Sequence, residues 1–79
     1  MTVTLYTRGG CHLCDEARQA IEAARLRCAF DYEELDIDSD AGLLQLYNEE
    51  VPVIAIDGRK AFKYRLTADD LLKKLETRA

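Results

Sequence analysis

Thr7-Arg8-Gly9-Gly10-Cys11-His12-Leu13-Cys14-Asp15-Glu16-Ala17 joins two kinds of chain. Upstream, Thr2 to Thr7 is rich in β-branched and aromatic residues, as a strand requires, and Gly9-Gly10 supplies the turn that ends it. Downstream, Leu13, Ala17, Ala20, Ile21 and Ala24 fall on one stripe of an amphipathic helix predicted from about Cys11 to Arg27. Two cysteines at i and i+3 thus sit where a strand gives way to a helix. The first helical turn brings such side chains together, so a disulfide between Cys11 and Cys14 is feasible.

Working outward, Ala29 to Ile37 reads as a second strand. Phe30 and Tyr32 share one parity and Leu35 and Ile37 the other, which predicts either a bulge near Glu33-Glu34 or a strand covered on both sides. Asp38-Ser39-Asp40 offers N-caps for a short helix carrying Leu43, Leu44, Leu46 and Tyr47. Val51 to Ile56 is apolar on both parities, the pattern of a doubly covered strand, with Pro52 at its start. Asp57-Gly58 predicts a hairpin, and Phe62, Tyr64 and Leu66 alternate with Lys63 and Arg65 like an edge strand. Thr67 and Asp70 form a capping box for a last helix with Ala68, Leu71, Leu72 and Leu75 on its apolar face. The first βαβ unit must be right-handed and parallel and the closing hairpin antiparallel. The expected fold is therefore α/β, a mixed four-stranded sheet with three helices on its two faces, formed by residues 1–79 as one domain.

Composition narrows the function. A chain of 79 residues buries about 60% of the surface its unfolded form exposes, so the core must be small. The formal charge of −4 opposes nucleic-acid binding, and no apolar run reaches the length of a membrane span. The N-terminus lacks a signal peptide's basic and apolar regions, and three cysteines do not make a secreted disulfide scaffold. A cytoplasmic monomer is expected.

The chemistry is expected at Cys11 and Cys14. A helix N-terminus presents unpaired amides and partial positive charge, which predicts a Cys11 thiolate stabilised below the free pKa of about 8.5. Arg8, three residues upstream, is expected to add a full positive charge. Cys11 then attacks a disulfide and Cys14, one turn further in, resolves the mixed disulfide. His12 is read as an exposed tuning residue, since adjacent helical side chains diverge. It does not make a haem site, which needs His directly after the second cysteine. Cys28 lies about 20 Å along the helix from Cys14, too far to complete a zinc site with Cys11, Cys14 and His12, and reads as a small hydrophobe. Asp36, Asp38 and Asp40 alternate like a calcium loop, but Ala41 and Tyr47 stand where glycine and glutamate are needed. No metal and no bound cofactor are expected.

At this point the chain resembles the glutaredoxins. Arg8, Cys11-x-x-Cys14, Val51-Pro52 and the element order carry the likeness. Cys11-His12-Leu13-Cys14-Asp15-Glu16-Ala17, Asp36 to Asp40 and Val51-Pro52-Val53 resemble the small glutaredoxin-like proteins of bacteria in particular. The resemblance implies a thioredoxin fold and dithiol thiol–disulfide oxidoreductase activity. It also implies a basic residue at Arg8 serving the thiolate and glutathione, and a cis Val51-Pro52 peptide facing Cys11 and offering backbone hydrogen bonds to substrate. The usual Cys-Pro-Tyr-Cys is here interrupted by His12 and Leu13. The family's Gly-Gly before the last helix is replaced by Arg65-Leu66-Thr67, leaving Asp69 and Asp70 to meet glutathione's amino group. The implied substrates are disulfide-containing proteins or glutathione mixed disulfides, and the reductant is glutathione as co-substrate or a thioredoxin-reductase-like enzyme. A second class stays open: a non-catalytic partner-binding or redox-sensing module that uses the Val51-Pro52 groove.

Overall fold

Alternation within Thr2–Thr7 decides which residues meet the helices. In the computed structural model, which describes residues 1–78, this strand, β1, lies between β2 (Asp31–Asp36) and β3 (Val53–Ile56). β4 (Arg59–Lys63) completes a sheet of order β2-β1-β3-β4. β1 and β2 are parallel, and the other two pairings are antiparallel. The three helices are α1 (His12–Arg25), α2 (Ala41–Tyr47) and α3 (Ala68–Arg78).

Val3 pairs with Ile56 and Leu5 with Ile54, so these four side chains share one face. They are fully buried there in one cluster with Ala17, Ile21 and Ala24 of α1 and Leu71 and Leu75 of α3. Burying each large aliphatic side chain contributes about 1.5–3 kcal/mol relative to leaving it in water. The opposite face carries Thr4, Tyr6, Val53 and Ala55, with Tyr47 of α2 stacked on Tyr6 at 4.7 Å between ring centroids. Helices therefore cover both faces, and every residue of β3 is buried.

Local signals set the boundaries. α1 ends at Arg25, two residues before the expected Arg27, because the Arg27 and Cys28 amides both donate to the Ala24 carbonyl at 3.0 Å. β2 has no bulge: its register with β1 is unbroken from Thr2↔Asp31 to Thr7↔Asp36. The mixed parity has another cause. Phe30 and Ile37 lie just outside the strand, while Tyr32 packs on the helix face and Leu35 pairs with Tyr6 on the other.

The bulge lies in β4 instead, where Ile54 faces Phe62 but Ala55 faces Lys60, leaving Ala61 as the extra residue. Its phase change lets both Ala61 and Phe62 pack against the core. The expected alternation through Leu66 also stops early. Tyr64 adopts φ +68 and donates its amide to the Pro52 carbonyl at 2.8 Å, so neither Tyr64 nor Leu66 belongs to the strand.

Asp57 and Gly58 both have positive φ, +51 and +83, as a two-residue primed turn demands. The capping box is reciprocal: Asp70 N–H donates to Thr67 Oγ1 at 3.1 Å and Thr67 N–H to Asp70 Oδ2 at 3.3 Å. Asp40 is the residue that caps α2, accepting from the Gly42 and Leu43 amides.

Candidate functional site

β1 delivers the chain to Arg8, and Gly10, at φ +76, turns it into α1. Cys11 is the N-cap, and its Sγ accepts the Cys14 amide at 3.1 Å, the bond a serine or aspartate oxygen makes at other helix starts. Cys11 is half-buried, whereas Cys14, one turn on, is 1% exposed. Both are free thiols. An incoming sulfur can therefore reach Cys11 and not Cys14.

The expected acidity of Cys11 is not what this geometry produces. Burial pushes its thiol above the ordinary value, and a hydrogen bond with the Cys14 thiol adds to the rise. The backbone amides of Cys14 and Leu13 pull the other way without overcoming it. Arg8, expected to add charge near the thiolate, has its hydrogen bonds directed to other groups. Its guanidinium is taken by Asp38 (Nη2 to Oδ1 2.8 Å, Nε to Oδ2 3.5 Å) and by Asn48 (Nη1 to Oδ1 3.0 Å, to the carbonyl 3.2 Å). The sequence offered Asp38 only as a cap for the following helix and gave no signal at Asn48. Only the folded chain brings both to the end of β1.

The Val51-Pro52 peptide is cis, and Pro52 is buried. β3 runs antiparallel to β1 with Tyr6 opposite Val53. Continuing that register puts Pro52 opposite Thr7 and Val51 opposite Arg8, at the end of the sheet where the cysteine turn begins. Val51 is half-buried. His12 is exposed, and Leu13 is half-buried at the edge of a groove of about 250 Å³. Ala17, Leu66 and Asp70 also line this groove, with Glu16 and Arg65 beside them.

The two acids at the start of α3 are separated. Asp70 reaches the groove but is engaged in the capping box. Asp69 instead pairs with Arg27 at 3.2 Å, at the other end of α1. A larger cleft of about 460 Å³ lies beside Asp69 and contains Cys28, away from Cys11. Among the described residues no group of three or more His, Cys, Asp or Glu side chains is placed to hold a metal ion. No helix among them is long and apolar enough to cross a membrane.

Comparison with known proteins gives the geometry a context. Residues 2–76 match the Glutaredoxin-like domain (DUF836) family. A curated relative, the glutaredoxin-like protein YDR286C homolog of Dictyostelium discoideum, is 34% identical over 98% of this chain and 77% of its own length. The crystal structure of protein XcR50 from X. campestris is 37% identical and superposes with a TM-score of 0.81, covering 95% of this chain and 96% of that one. Thioredoxin 1 of Thermosipho africanus, only 14% identical, still superposes at a TM-score of 0.72 over 99% of this chain and 93% of its own, so the fold is thioredoxin-like.

Proposed function

The chain belongs to the family of glutaredoxin-like domains, and from that premise we propose that it is a dithiol thiol–disulfide oxidoreductase. One observation carries the reading: a reachable Cys11 at the N-cap of α1 with a buried Cys14 one turn behind it. The Cys11 thiolate attacks one sulfur of a substrate disulfide, forming a mixed disulfide and releasing the other substrate sulfur as a thiolate that takes up a proton. Cys14 then loses its proton and attacks Cys11 Sγ. This releases the second substrate thiol and leaves a Cys11–Cys14 disulfide. Two electrons pass from protein to substrate, and an external thiol reductant restores the pair.

Substrates are protein disulfides or glutathione mixed disulfides, aligned by the backbone at Val51-Pro52. The reductant is glutathione or a thioredoxin-reductase-like enzyme. Three cysteines do not make a secreted disulfide scaffold, and we assign the activity to the cytoplasm.

The test is turnover of a low-molecular-weight disulfide in an NADPH-coupled assay, with glutathione plus its reductase in one arm and thioredoxin reductase in the other. Activity in either arm, lost in Cys11→Ser, is expected. Inactivity in both would favour a partner-binding or redox-sensing module instead.

A further inference from the structure

We propose that Asp38 is a specificity-determining residue of the Cys11 site, holding and neutralising Arg8 so that the site withholds from anionic disulfides the cation placed beside it in the chain. The inference rests on the exchange reading above and names its preferred substrate class, disulfides without negative charge near the sulfurs.

A guanidinium recognises a carboxylate best through two parallel N–H bonds. Arg8 makes that fork with Asp38, and its remaining terminal nitrogen is shared between the carbonyl and side-chain oxygens of Asn48. The acceptors are fixed before the guanidinium arrives. Asp38 N–H donates to Asp36 Oδ1 at 2.9 Å, Ser39 Oγ donates to the Asp36 carbonyl at 2.6 Å, and Ile37 between them is fully buried. Asn48 ends α2, which Asp40 caps at one end and Tyr47 seats on Tyr6 at the other. A substrate carboxylate would have to displace a carboxylate already in place. Arg8 and Asp38 side chains are 33% and 46% exposed. Their pairing therefore falls among ion pairs worth up to about 1 kcal/mol, which sets the expected effect at about fivefold.

The experiment measures how fast the fully reduced protein is oxidised by two small disulfides, dianionic dithiodiglycolate and neutral bis-hydroxyethyl disulfide, at one low ionic strength. Asp38→Asn is expected to raise the anionic-to-neutral rate ratio about fivefold. The double variant Arg8→Gln/Asp38→Asn, which loses one charge of each sign, is expected to return it to the wild-type ratio. General damage to the fold would lower both rates together and leave the ratio unmoved. An unchanged ratio in Asp38→Asn overturns the proposal. So does a gain that persists in the double variant, because the missing Asp38 charge would then suffice without Arg8. Wild-type protein oxidised by neither disulfide would instead sink the exchange reading, and this proposal with it.

Discussion

At Cys11 two consequences of a helix start oppose each other. The amides of Leu13 and Cys14 favour the thiolate, but burial, with the Cys14 side chain adding to it, favours the protonated form and prevails. Sequence alone exposed the first effect, because it depends only on position in the chain. It could not expose the second, which depends on what packs around the sulfur, nor the capture of Arg8 by residues 30 and 40 positions away. The sign of the coupling gives a prediction. Cys14 raises the Cys11 value, so Cys14→Ala should shift Cys11 ionisation to lower pH. Iodoacetamide alkylation of Cys11 against pH measures this. In wild type the midpoint should lie above the free-thiol value of about 8.5. A variant midpoint equal to or above the wild-type one would contradict the coupling.

The elements whose ends are set by local chemistry were legible before the fold was known. The Asp57-Gly58 turn and the Thr67–Asp70 box are examples, since each requires only residues within three positions. β2 and β4 were less legible because neighbouring elements shape them: Leu35 lies opposite Tyr6 on the outer face and stays exposed, and β4 carries its bulge opposite Ile54 and Ala55. Two predictions belong here. Thr67→Ala removes one half of the box and should cost about 1 kcal/mol, read as a fall in melting temperature of about 4–8 °C for a domain of this size. Arg18 of α1 joins Asp15 and Glu34 of β2, and its hydrogen bond holds the Glu34 carboxyl below its ordinary value of 4.5. A depressed carboxyl contributes stability above that ordinary value and loses it as pH falls through the folded one. Glu34→Gln should therefore destabilise at neutral pH by less than about 1 kcal/mol, the groups being a third exposed, and the difference should vanish in strong acid. Urea midpoints across that range measure it, and a difference that grows with acidity would refute the pairing.

On the scale of the whole molecule, one cluster between the sheet and the α1–α3 pair carries the fold, and the cysteine turn hangs from its edge. Typical stabilities of about 0.05–0.15 kcal/mol per residue leave a chain this short little reserve. Leu71, fully buried between helix and sheet, should cost about 2–5 kcal/mol when cut to alanine, a large share of the total, seen in denaturant melts. Cys14 and Pro52 are also buried, whereas Cys11 at the N-cap of α1 is only half-buried. That asymmetry is the central claim. It is tested most directly by mixing Cys14→Ser protein with a small disulfide and locating the trapped adduct by peptide mass spectrometry. The adduct is predicted on Cys11. An adduct on Cys28 with Cys11 unmodified would contradict the account.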